Sequence, residues 1–198
     1  MDITERVRET HDTALDRLGS EKSLLALTEA RLETEAVLSA AGAALASGRA
    51  TLSDWAADAT GEVADALAAA AERLADAADR VAESLDAALP GGSPFVSLAA
   101  DTDPGRAGAG LVGLGLVLDR VFLQCVSFFV NEADTARADL FRDLRGVADD
   151  LLATAADLGL DGEDAKQAAG AAGTVVDAAY DAYVDRLEAM GFDPKPIC

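Results

Sequence analysis

Between Val63 and Leu85, apolar residues recur every three or four positions: Val63, Leu67, Ala70, Leu74, Ala78, Val81 and Leu85. Asp and Arg occupy much of the sequence between them. On a helix of 3.6 residues per turn this spacing makes one apolar stripe with a charged face opposite. A stripe of that kind is stable only when buried against other elements. Related patterns recur down the chain. Ala, at 45 of 198 residues, supplies helix propensity almost throughout. A strand-like run is confined to residues 95–98. The expected fold class is therefore all-α, with residues 1–198 forming a single helical domain.

The pattern predicts a first helix over residues 4–18 that stops at Gly19. Ser20 can cap a short second helix through Leu27. Thr34 can cap a third, spaced by Leu38, Leu45, Leu52 and Trp55 and ending near Gly61. The Val63–Leu85 helix is the fourth, ended by Pro90-Gly91-Gly92. Residues 90–106 carry Pro90, Pro94 and Pro104 and read as a crossover, not a tight turn. The fifth helix, residues 107–130, is apolar on most sides. Its narrow polar stripe is Arg120, Gln124, Ser127 and Asn131, which marks a central helix. The sixth directs Leu140, Leu144, Val147, Leu151 and Leu158 inward. The seventh is capped by Asp161, with Glu163 and Asp164 near its positive end. Its stripe is Ala172, Val176, Ala179, Tyr183, Leu187 and Met190, and Gly191 closes it. Residues 193–198 form a short C-terminal tail. Two long helices, a crossover and three more match the connectivity of a ferritin-like bundle with flanking N- and C-terminal helices.

The formal net charge is -20, from 36 acidic and 16 basic side chains. Asp outnumbers Glu 24 to 12, and Arg outnumbers Lys 13 to 3. Ile occurs only at Ile3 and Ile197. Self-repulsion of this size strains a compact fold at ordinary ionic strength. At 1 M salt the Debye length shrinks to about 3 Å, so the repulsion is screened while the carboxylates stay hydrated. The composition thus reads as that of a halophile's cytoplasmic protein. Met1-Asp2-Ile3-Thr4-Glu5 lacks the basic and apolar regions of a signal peptide. The uncharged run over residues 107–118 is interrupted by Asp119-Arg120 and reads as too short to cross a bilayer, so no membrane partner is expected. Cys125 and Cys198 make no disulfide framework.

The chain offers little reactive chemistry. A di-iron site in a helical bundle needs carboxylates from facing helices and two Glu-x-x-His motifs. His11 is the only histidine, and Arg8 stands three residues before it. Ala44, Leu45, Leu74, Ala78, Leu118, Val121, Leu144 and Val147 occupy the expected inner faces. His11 reads as solvent-facing and Cys125 as a buried structural thiol. Cys198 reads as a tail thiol, able to be oxidised or to link two chains. Gly108-Ala109-Gly110-Leu111-Val112-Gly113 matches the letters of a dinucleotide fingerprint, but it lies in a helical pattern with no strand before it. Close helix packing explains those glycines better, with a hinge at the start of the fifth helix as the intermediate reading. Arg137, Arg142 and Arg145 are interleaved with Asp139 and Asp143, so direct nucleic-acid contact is not expected. Asp119, inside the apolar fifth helix, reads as an ion pair at the edge of the stripe. No catalytic, cofactor-binding or metal residue is assigned, and no cofactor is expected.

Leu18-Gly19-Ser20-Glu21-Lys22, Phe128-Phe129-Val130, Tyr183-Val184, and the terminus Met190-Gly191-Phe192-Asp193-Pro194-Lys195-Pro196-Ile197-Cys198 together resemble haloarchaeal rubrerythrin-like proteins. Some members of that group carry a transcription antitermination label. The resemblance implies a ferritin-like bundle in the cytoplasm and, in the wider family, di-iron oxidation or peroxide reduction. The absence of Glu-x-x-His and Cys-x-x-Cys departs from that pattern. The expected function is accordingly a metal-free interaction or regulatory bundle, acting as a homodimer or with an unidentified protein partner. A carboxylate-only di-metal oxidase or peroxidase and an antitermination-type factor are the alternatives. The charge reading has a direct test. Helicity followed by circular dichroism is expected to fall as KCl is lowered from multimolar to millimolar. Unchanged helicity would remove the salt requirement.

Overall fold

Two hairpins of long helices carry the fold in the computed structural model, which describes residues 2–194. The helices are α1 (Ile3–Thr10), α2 (Asp12–Leu18), α3 (Lys22–Thr28), α4 (Thr34–Asp58) and α5 (Gly61–Leu85), followed by α6 (Asp103–Asn131), α7 (Thr135–Asp157) and α8 (Gly162–Ala189). No strand occurs among the described residues. The chain is an all-α helical bundle.

Residues 59–60 join α4 to α5, and residues 132–134 join α6 to α7, so the members of each pair lie side by side. The first hairpin packs on the second through α4 against α6 and α5 against α7. Helix α8 lies along the first half of α6, and α1, α2 and α3 pack across α8. One hydrophobic cluster runs through the helices, from Val7 to Leu187. Between the hairpins, residues 86–102 form the crossover, which the core holds down. Phe95 is fully buried. Leu89 fills the space where Gly42 of α4 lacks a side chain: a Cβ there would stand 2.3 Å from Leu89 Cδ2.

Helix α6 is the hub because its glycines face three ways. A Cβ on Gly108 would stand 2.0 Å from the Ala168 carbonyl oxygen of α8. One on Gly113 would stand 2.8 Å from Val175 Cβ of the same helix. Gly110 faces Leu52 and Leu67 of the first hairpin, and Gly115 faces Ala148 and Leu152 of α7. Gly108–Gly113 forms a π-helical turn. Five residues of ordinary α-helix would rotate Gly113 roughly 140° away from Gly108. Bonding from i to i+5 instead stacks the two, so both meet α8.

Several sequence boundaries move for identifiable reasons. The first predicted helix is broken at His11, whose φ of -116° and ψ of 28° are not helical. Gly19 ends α2 at φ -85°, not in the left-handed region. A Cβ there would lie 3.3 Å from Arg120 Cδ. Ser20, expected as a cap, donates its hydroxyl back to the Arg17 carbonyl. Thr34 is the first helical residue of α4, after Glu33. Asp161 precedes α8 without a side-chain capping bond. Helix α6 begins at Asp103, not 107, because Thr102 Oγ1 accepts from the Gly105 amide and Pro104 suits a first helical turn. Helix α5 ends at Leu85, before the Pro-Gly-Gly run, on a left-handed Asp86.

The buried stripe of α7 is also rotated from the expected one. Phe141, Ala148 and Ala155 are buried with Leu144 and Leu151, whereas Leu140, Val147 and Leu158 are only half-buried. The Phe141 ring draws the stripe round. It stacks on Phe129 with centroids 5.6 Å apart and lies 5.8 Å from Phe122.

The expectation that no segment could span a membrane rested on the break at Asp119-Arg120. The helix runs through that break. At 29 residues, α6 is long and apolar enough, by length and composition, to cross a bilayer. In the bundle, 67% of its most apolar window is buried, as befits a helix that meets α4, α7 and α8.

The hub makes a sharp mutational contrast. Gly108→Ala forces a methyl into the α8 backbone and is expected to cost about 3 kcal/mol, lowering the thermal midpoint by roughly 6–12 °C. Gly146 of α7 has nothing within 4 Å of an added Cβ. There, Gly→Ala is expected to stabilise by roughly 0.5–1 kcal/mol. Calorimetric midpoints of both variants in molar salt check the pair.

Candidate functional site

The place to look first in a four-helix core is the seam between the hairpins. Ala44 and Leu45 on α4, Leu74 and Ala78 on α5, Leu118 and Val121 on α6, and Leu144 on α7 are buried there, with Val147 half-buried. These side chains have no lone pair to offer a cation. Among the described residues, no three His, Cys, Asp or Glu side chains come together as a metal-binding group.

Asp119 tests the carboxylate-only alternative directly, since it needed neighbouring carboxylates. Its side chain is 15% exposed and faces guanidinium groups. Arg145 Nε and Nη2 each lie 2.8 Å from Asp119 Oδ1, and Arg120 Nη1 lies 4.0 Å from Oδ2. The pair ties α6 to α7 at the edge of the stripe. Paired in this way, the carboxylate's charge is compensated.

The three arginines considered for nucleic acid are each engaged with a carboxylate. Arg142 pairs with Asp139, and Arg145 with Asp119. Arg137 donates its backbone amide and its guanidinium to Asp134, and also reaches Ser84 Oγ and the Ser84 carbonyl at the end of α5. Asp143 turns to Arg80 of α5, 2.9 Å away. The Arg137–Ser84 and Arg80–Asp143 contacts stitch the hairpins together, and no unpaired basic stripe is left on α7.

The remaining candidates separate cleanly. Cys125 is fully buried, and burial pushes its thiol far above the usual range, so it is protected from thiolate chemistry. Cys198 lies outside the described residues, as do Lys195, Pro196 and Ile197 of the tail. The Gly108–Gly113 fingerprint is wholly buried inside α6, with its glycines turned to neighbouring helices and no strand before it. It packs helices and presents no phosphate loop.

His11 departs from its solvent-facing expectation. Its side chain is 18% exposed, and Nδ1 lies 2.8 Å from Asp177 Oδ1 on α8. The break between α1 and α2 turns the imidazole toward that helix.

One concavity was not signalled in the sequence. A groove of about 450 Å³ lies between the α3–α4 connection, the first half of α4, and Pro90, Gly92 and Pro94 of the crossover. Glu29 lines it with a left-handed φ of 53°, and the following Ala30 is also left-handed at 61°. Such conformations disfavour a residue with a Cβ. Arg186 of α8 braces the turn, donating to Glu29 Oε1 at 3.1 Å and to the Ala26 carbonyl at 3.5 Å. No glycine marks the turn, so its position was not legible locally.

Comparison with protein-family models, curated proteins and solved structures finds no match to the chain. Nothing in those comparisons identifies a rubrerythrin-like family.

Asp134 offers a pH-resolved test of the α7 N-terminus. The Arg137 amide and then its guanidinium hold the Asp134 carboxyl below the usual range. A depressed folded-state pKa contributes stability above the unfolded value of about 3.9, and that contribution is lost as pH falls through the lower folded value. Asp134→Ala is therefore expected to cost roughly 1 kcal/mol at pH 7. The gap should close in acid. Urea unfolding of both proteins between pH 7 and pH 3 measures it.

Proposed function

We propose that the chain is a non-catalytic helical bundle of a salt-rich cytoplasm, a ferritin-like, rubrerythrin-like scaffold without di-metal ligands that acts through protein association. One observation supports this above the others. The inner faces of α4, α5, α6 and α7, where a bundle of this plan would carry metal ligands, present Ala, Leu and Val. The partially buried Asp119 is committed to arginine. The acidic, Lys-poor composition supports the salt-rich setting. The partner is a second copy of the chain or another protein.

Metal analysis of protein prepared and kept in molar KCl tests the reading. Iron and manganese are expected far below one per chain. Stoichiometric metal that survives gel filtration would overturn it. Probing the same preparation for RNA polymerase and RNA tests the antitermination role that the resemblance implies.

A further inference from the structure

Two glycines on one face of α8 shape the region around the chain's only histidine. A Cβ on Gly173 would stand 2.5 Å from His11 Nε2, so the missing side chain makes the notch that seats the imidazole. One turn earlier, a Cβ on Gly170 would meet nothing within 4 Å. A pocket of about 250 Å³ opens there, with Val7 and Ala169 as apolar lining and Arg6, His11 and Lys166 as its basic groups.

The pocket gathers basic groups in a chain where they are scarce. Arg6 comes from α1, Lys166 from α8, and His11 from the junction of α1 and α2. Arg6 makes no ion pair among the described residues, and Lys166 reaches only Glu163, itself 72% exposed. An ionised Asp177 can only accept, so His11 Nδ1 carries the hydrogen between them. That bond fixes the ring against Gly173 as the inner wall. The exposed Arg6 and Lys166 are not used by the core, yet they flank an opening that any larger side chain at position 170 would occupy.

We propose that this pocket binds a phosphate-sized dianion, either inorganic phosphate or the phosphate end of a small phosphomonoester. A guanidinium offers parallel donors to two oxygens of such a group, and an ammonium adds a compact point charge. Chloride would gain only the charge, because it has no separate oxygens to meet the fork. At about 250 Å³ the pocket is smaller than the roughly 300–1,000 Å³ of a typical small-molecule site. It suits a phosphate group better than a whole nucleotide.

Because His11 is the sole histidine, its ring Cε1–H resonance is a single reporter at the wall of the site. The full chain is titrated with inorganic phosphate and, separately, with glycerol phosphate, at constant pH and constant molar KCl. A saturable shift is expected. Tighter binding of glycerol phosphate assigns the phosphomonoester, and tighter binding of inorganic phosphate assigns the free ion. Gly170→Leu fills the opening with a strong helix former and should abolish saturation while the thermal midpoint holds or rises. Arg6→Ala and Lys166→Ala should each weaken binding about tenfold, as for loss of one charge-assisted contact. A shift that grows linearly without saturating, or that persists unchanged in Gly170→Leu or in Arg6→Ala, overturns the assignment.

Discussion

The approach of α6 to α8 is the contact on which the other elements depend. Gly108 lies so close to the Ala168 main chain that no side chain fits between them, and Gly113 repeats the contact one π-turn later. Helices packed this closely leave no room for a layer of side chains between them. The rest of the α6 surface is thereby freed for the hairpins. Gly110 turns to Leu52 and Leu67, and Gly115 to Ala148 and Leu152. A straight α-helical course through Gly108–Gly113 would turn Gly113 away from α8. The π-turn is therefore a packing device, and the fingerprint-like glycine spacing is its sequence trace.

Around that hub, polar groups at the edges of the core hold the elements in register. Arg137 links the start of α7 to the end of α5, and Asp119 links α6 to α7. Gln124, buried within the polar stripe of α6, donates to the Gly19 carbonyl and ties the N-terminal helices to the hub. Asp103 accepts from both the amide and the hydroxyl of Thr60, pinning the end of the crossover to the α4–α5 turn. Partly buried pairs of this kind contribute modestly to stability, but an uncompensated partner left behind would be costly. They serve geometry more than binding energy. The exposed carboxylates carry the net charge and leave the interior as hydrocarbon.

The stripes were readable because helical periodicity is local. Leu67, Leu74 and Val81 on α5, and Val176, Tyr183 and Leu187 on α8, are buried as their spacing requires. Helix ends were less readable. Glu29, Ala30, Asp86 and Ala133 adopt left-handed φ without being glycine. The inward face of α7 shifted because a cluster of Phe rings outweighed leucine spacing. Of the candidate residues, Asp119 and Cys125 behave as their immediate neighbours suggested. His11 does not, because its partner is remote.

What the sequence by itself determined is the helical class, the faces turned inward, the acidic surface, and an inner seam of Ala and Leu. Each follows from composition or from spacing within a few turns. What only the tertiary structure decided is the pairing of distant residues. His11 and Asp177 are 166 positions apart, and Arg186 and Glu29 are 157 apart. The notch at Gly173, the opening beside Gly170 and the groove beside Glu29 exist only when such segments meet. Periodicity tells which face of a helix is buried; it carries no information about which other helix covers it.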